Sequence, residues 1–139
     1  MRRTRDAAAL ANQLELVSRS LHSINFAEDL FPAQWTALRY VARAEPQQRT
    51  ASALARLQGV AAGPVTRTIR TLVGKGLLAS SAMPGRGAPK QLDLTPAGQA
   101  LLARDPLAQV VRACATLTAE ERATLTRCLG QVLTRLHED

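Results

Sequence analysis

The chain has 139 residues, 46% of them hydrophobic, which is enough for one well-cored domain and too little for two. No run approaches the roughly 18 apolar residues that span a bilayer, and the basic opening Met1-Arg2-Arg3 leads into Asn12, Gln13 and Glu15 rather than an apolar signal core, so a cytoplasmic setting is expected. The net charge is +7, the four aromatic residues are too few for a base-stacking platform, and the two cysteines read as reduced thiols rather than a disulfide framework.

Leu10, Leu14, Val17, Leu21 and Ile24 recur at steps of four, three, four and three, and predict a long helix over 6–29 with Asp6 as its N-cap. Phe31-Pro32 opens a second helix, carrying Trp35, Leu38 and Val41 to about Ala44 and stopping before Pro46. Thr50 then caps a short helix, Ala51 to Gln58, which Gly59 ends. Ala62-Gly63-Pro64 begins another helix that runs to about Gly74 and closes at Lys75-Gly76. Residues 77–81 and 90–94 read as two short strands joined by the Gly- and Pro-rich loop Met83 to Pro89, with Arg86 at its tip. Thr95-Pro96 has the N-cap and first-turn chemistry of a further helix, Asp105-Pro106 should kink or restart it, and Thr118 with Glu121 forms a capping box for a last helix. That last helix carries Leu125, Leu129, Val132 and Leu136 on one face.

A short helix, a glycine turn, a second helix and a hairpin follow one another in the order of a winged helix–turn–helix, and the expected fold class is mainly α with a small β-wing. At the helical period, Val65, Ile69, Leu72 and Val73 form the apolar stripe of the second helix, which leaves Gly63, Pro64, Arg67, Arg70 and Thr71 facing outward. Arginine binds guanine O6 and N7 bidentately, or a phosphate, and small residues at a helix start let its free N–H groups approach a duplex. The charge distribution agrees. Between Glu45 and Asp93 there is no acid, whereas Arg49, Arg56, Arg67, Arg70, Lys75, Arg86 and Lys90 together carry the whole excess of +7. This is the electrostatic footprint of a polyanion-binding lobe. The expected DNA-binding residues are therefore Gly63, Pro64, Arg67, Arg70, Thr71, Arg86 and Lys90.

Several motifs carry a resemblance. Thr66-Arg67, the run Leu72-Val73-Gly74-Lys75-Gly76-Leu77-Leu78, and Leu92-Asp93-Leu94-Thr95-Pro96-Ala97-Gly98 stand in that order. They follow Pro32-Ala33-Gln34-Trp35-Thr36-Ala37-Leu38-Arg39 and Ser52-Ala53-Leu54-Ala55-Arg56-Leu57. Together they resemble the multiple-antibiotic-resistance-regulator (MarR) family. The resemblance implies a single domain over 1–139, with a winged helix–turn–helix lobe over 31–95 and dimerisation helices over 6–29 and 96–136. It implies a homodimeric repressor of transcription that binds a palindromic duplex operator and is relieved by a small anionic or phenolic effector or by thiol oxidation. The chain departs from the family at the wing, whose tip Gly85-Arg86-Gly87-Ala88 lacks the usual Asp, at Ser80, where many relatives have Arg, and at the uncapped start Ala61-Ala62-Gly63. Contact with DNA is therefore expected first from Arg67 and Arg70.

In such a dimer Leu10, Leu14, Val17, Leu21, Val110, Leu125, Leu129, Val132 and Leu136 would line the seam; the alternative for the N-terminal stripe is core within one subunit. His22, Asn25, Trp35 and Arg39 could reach a ligand crevice between the dimer helices and the lobe, Arg39 serving an anion. Trp35 as plain core and Arg39 as a solvated side chain is the bland alternative. Cys114 and Cys128 read as packed thiols, with a redox switch as the alternative. With His22 and His137 they make no metal-ligand spacing, and no nucleophile–base pair or phosphate-binding glycine loop is recognisable, so neither a metal, a cofactor nor an enzymatic activity is expected. The competing functional class is a winged-helix module for protein interaction or assembly without specific DNA readout.

Overall fold

The computed structural model of the chain describes residues 1–82, 85, 87 and 89–138. The elements are α1 (Arg2–Ile24), α2 (Pro32–Arg43), α3 (Ala51–Gln58), α4 (Ala62–Gly74), β1 (Leu78–Ala82), β2 (Lys90–Leu94), α5 (Pro96–Leu102), α6 (Leu107–Cys114) and α7 (Ala119–His137). A single 3-10 turn, Pro46–Gln48, lies between α2 and α3 and was not foreseen. The fold is mainly helical with a small antiparallel hairpin, the winged helix–turn–helix class expected.

Local chemistry sets most boundaries. The Thr50 hydroxyl accepts from the Ala53 N–H at 3.1 Å and starts α3. Gly59 ends it in the left-handed region at φ 66°, which costs glycine nothing and would strain a side chain. Thr95 works in two directions: its hydroxyl accepts from Gly98 N–H at 3.0 Å and donates to the Gly76 carbonyl at 2.7 Å, joining the end of α4 to the start of α5. Gly98 lies so close to this junction that a Cβ there would stand 2.2 Å from the Leu77 carbonyl oxygen. On α7, Thr118 and Glu121 exchange hydrogen bonds at 2.9 and 3.1 Å as a full capping box, and the Thr118 N–H and then its hydroxyl hold the Glu121 carboxyl below its ordinary value.

The core belongs to the middle of the chain. Trp35, Leu38 and Val41 of α2 pack with Leu54 and Ala55 of α3, Val65, Ile69 and Leu72 of α4, and Leu78 and Leu92 of the hairpin. In the hairpin Leu78 stands opposite Leu94, Ser80 opposite Leu92 and Ala82 opposite Lys90. The Leu92 N–H donates to the Arg49 carbonyl at 2.8 Å, and Arg49 Nη1 meets Asp93 at 3.2 Å, so the segment after α2 pins the root of the wing. By contrast α1, α6 and α7 contain no buried residue at all.

Four expectations need correction. The first helix starts at Arg2, so Asp6 lies inside it and is not its N-cap. It also ends at Ile24 rather than 29, because the Asn25 side chain donates back to Leu21 O at 2.7 Å, and Glu28 and Asp29 adopt left-handed φ values of 54° and 58°. Val73 is 37% exposed and outside the apolar stripe, since it lies at the edge of the face that Leu72 centres. Finally, β1 begins at Leu78, one residue later than expected, because the Leu77 N–H is still bonded to Leu72 O.

Candidate nucleic-acid interface

The second helix of the helix–turn–helix, α4, is anchored from behind and open in front. Val65, Ile69 and Leu72 are buried in the core. Gly63, Pro64, Arg67, Arg70 and Thr71 are all exposed, so the structure brings these five expected residues to one outward surface. Among the described residues neither Arg67 nor Arg70 has a salt-bridge partner. Their donors are free for a ligand. The Thr71 hydroxyl donates to Arg67 O at 3.1 Å and Thr68 to Pro64 O at 3.1 Å, which leaves each hydroxyl oxygen as an acceptor on the helix surface. At the start of α4, Ala61 offers no side-chain cap, and nothing lies within 4 Å of where a Gly63 Cβ would be. The first-turn N–H groups of α4 are therefore uncapped by side chains, at the positive end of the helix dipole.

The rest of the basic window divides. Lys90 is exposed at the start of β2. Arg49 is spent on Asp93 and on the Ala44 carbonyl at 2.9 Å, so it holds structure rather than offering a free charge. Lys75 Nζ donates to Asp29 O at 3.1 Å and ties the end of α4 to the α1–α2 turn. Arg86, expected at the wing tip, lies outside the described residues.

The residues expected to line a ligand crevice are differently employed. Trp35 is fully buried, its indole N–H donating to Ala27 O at 3.1 Å. His22 meets Phe26 edge-to-face at 5.1 Å, on the exposed side of α1. Arg39 is buried and gripped internally: Nε and Nη2 bind both Asp105 oxygens at 2.8 and 2.7 Å, and Nη2 also donates to Asn25 Oδ1 at 2.5 Å. Its guanidinium carbon stands 5.7 Å from the Trp35 ring centre. Arg39 is thus not solvated, and Asn25 and Trp35 serve it and the core. Sequence reading missed Asp105 as its partner, although an Asp before Pro at a helix restart was visible. Burial alone would raise the Asp105 carboxyl. The hydrogen bonds from Arg39 and the Leu107 N–H, with the charges of Arg39 and Arg43, hold it below its ordinary value.

Leu10, Val17, Leu125, Leu129 and Leu136 are exposed, while Leu14, Leu21, Val110 and Val132 are half-buried. Cys128 is half-buried and Cys114 exposed, so Cys114 is not a packed thiol within the single chain. No helix is long and apolar enough to cross a membrane, and no cluster of His, Cys, Asp and Glu could hold a metal ion, among the described residues.

Fold and surface together define a winged helix–turn–helix protein with a cationic second helix. Residues 28–87, the helix–turn–helix and the start of the wing, match the model of the MarR family, the family whose motifs the sequence resembles. Among solved structures, the chain is similar to a probable transcriptional regulator from Pseudomonas aeruginosa, with 26% identity and a TM-score of 0.69 over 88% of this chain and 95% of that one. It shares the fold of the transcriptional regulator BldR from Sulfolobus solfataricus (20% identity, TM-score 0.76, 97% and 99% covered). It also shares that of MepR from S. aureus, solved as a DNA complex (16% identity, TM-score 0.73, 90% and 96% covered). No curated protein matches the sequence.

Proposed function

We propose that the chain is a homodimeric transcriptional repressor that reads a palindromic duplex operator with α4 and is relieved by a small anionic or phenolic ligand. The observation that carries this reading is the outward face of α4, where Arg67 and Arg70 stand, among the described residues, without acidic partners beside an uncapped helix start. MepR, which shares the fold, is known in complex with DNA. Arg67 and Arg70 enter the major groove, roughly 12 Å wide, and read guanine edges or phosphates. Gly63 and Pro64 allow close approach, Thr71 supplies an acceptor, Lys90 adds backbone attraction, and Arg86 reaches the neighbouring minor groove.

The dimer is supported by what α1, α6 and α7 leave undone: no residue of these helices is more than partly buried, and Leu10, Val17, Leu125, Leu129 and Leu136 are presented to solvent. In this reading the chain is one domain, with its lobe over 31–95 and its dimerisation segments over 6–29 and 96–136. The test is duplex binding across a salt series. A dimer that neutralises several phosphates should lose affinity with a log–log slope of about 0.9 per phosphate. A salt-independent interaction, or none with any duplex, contradicts the DNA reading and favours a protein-interaction module.

A further inference from the structure

The lobe and its flanking helices meet at a buried polar junction built around Arg39. Its Nε and Nη2 donate to both Asp105 oxygens at 2.8 and 2.7 Å, and Nη2 also donates to Asn25 Oδ1 at 2.5 Å. Asn25 follows directly on α1, and its Nδ2 donates back to Leu21 O at 2.7 Å. Asp105 precedes α6, and its Oδ1 accepts the Leu107 N–H at 2.8 Å. One side chain of α2 thus holds the end of α1 and the start of α6, two helices that pack against each other. Arg39 is itself rooted in the lobe: its guanidinium lies 5.7 Å from the ring centre of Trp35, which is fully buried and bonded to Ala27 O. Packing constrains the angle less. α1 and α6 contain no buried residue, and apolar contact is non-directional, whereas a bidentate guanidinium–carboxylate pair fixes both distance and plane. The surface contacts beside the junction, Arg104 with Glu28 at 3.3 Å and Lys75 with Asp29 O at 3.1 Å, are exposed and hold weakly.

We propose that Arg39, with Asp105 and Asn25, is the positioning residue that sets the angle between the lobe and its flanking helices, and through it the half-site spacing that the dimer accepts. The consequence for spacing rests on the function proposed above, whereas the fixed angle does not. Leverage makes the junction decisive. A helix of about 20 residues spans about 30 Å, and α1 has 23. A rotation of about 10° at its attached end displaces the far end by about 5 Å, against roughly 3.4 Å per base-pair step. With the flanking helices of two copies laid together, such a rotation becomes a change in the separation of the two α4 helices. None of the three side chains needs to touch DNA; they act by placing Arg67 and Arg70.

The test takes an inverted repeat selected by the full chain from a random pool and moves its half-site centres apart one base pair at a time. The parent protein should favour one spacing by about tenfold over its neighbours. Asp105→Asn keeps the size of the side chain and an acceptor for the Leu107 N–H but loses the ion pair, and Arg39→Lys keeps the charge but loses the fork. Each should reduce that preference to about twofold or less, with affinity for a duplex holding a single half-site unchanged within about twofold. Partial unfolding of the lobe would instead weaken single half-sites and all spacings alike, and that result overturns the proposal. The angle is read without DNA from the distance between spin labels on Cys114 of α6 and Ser52→Cys of α3, both exposed positions, in a Cys128→Ser background with labelled chain diluted in unlabelled. The parent should give one narrow distance distribution and Asp105→Asn a broader one. An undiminished spacing preference in both variants, or a distribution as narrow as the parent's, overturns the proposal. A parent protein that binds no duplex removes the DNA reading, and the label distances then decide the junction on their own.

Discussion

The middle of the chain and its two ends are built on opposite terms. From α2 to β2 the apolar residues find partners inside the chain, and Trp35, Leu38 and Leu72 are sealed completely. In α1, α6 and α7 the same kinds of residue recur at helical spacing and are at most partly covered, with Leu136 at 67% exposure and Leu10 at 52%. A helix that presents a leucine stripe to water gains nothing from the burial that normally stabilises it. The lobe can therefore be understood from one chain, and the ends only with something laid against them, which in the proposed function is a second copy.

The largest expected effect falls on the self-sufficient half. Leu72→Ala removes a fully buried side chain from beneath the candidate reading face and should cost about 2–5 kcal/mol, measured by denaturant unfolding. A cost below about 1 kcal/mol would mean that the lobe core is not the closed unit described. Next comes Leu129→Asp, on the uncovered face of α7. It should abolish the proposed dimer in sedimentation analysis while the lobe keeps its Trp35 signal, since each leucine buried in a seam contributes about 1.5–3 kcal/mol. A parent protein that sediments as a stable monomer at micromolar concentration would break the comparison, because the ends would then be stable uncovered.

A smaller effect sharpens the boundary between the halves, where Asp105 joins α6 to Arg39. Its carboxyl lies below its ordinary value in the folded chain, so its contribution is complete above the unfolded value, near 3.8, and is lost as pH falls through the lowered folded value. Asp105→Asn should destabilise the protein at neutral pH and leave a shallower loss of stability on acidification, as followed by thermal unfolding across a pH series. Identical pH profiles for variant and parent would show that the pair does not hold α6. The smallest effect is expected at the surface: Arg67→Ala should leave stability unchanged within about 0.5 kcal/mol while costing about 1–3 kcal/mol of discrimination among duplex sequences. A variant that loses affinity equally for all sequences would assign Arg67 to phosphate instead.

What could be read directly from the sequence follows the same division by range. Thr50 with Gly59, Thr95 with Pro96, and Thr118 with Glu121 act within a few residues of themselves, and each delimited its helix correctly. The outward set Gly63, Pro64, Arg67, Arg70 and Thr71 was legible because a helix period needs only the helix. The Arg39–Asp105 pair spans 66 positions, and no local pattern joins an arginine in α2 to an aspartate before α6. The end of α1 was misplaced for a related reason, since the stripe ending at Ile24 gives no sign that the Asn25 side chain turns back on Leu21 while its oxygen takes Arg39. Arg49 was counted as free charge because its partner Asp93 lies just outside the acid-free stretch, and only the strand register brings the two together.

In the proposed function the lobe reads duplex DNA and a second copy of the chain completes the ends. Selection of bound duplexes from a random pool by the full chain tests both at once. The expected result is enrichment of inverted repeats whose half-site centres lie about one helical turn apart, near 10 base pairs. Failure to enrich any sequence, or enrichment of single sites without inverted symmetry, would contradict it.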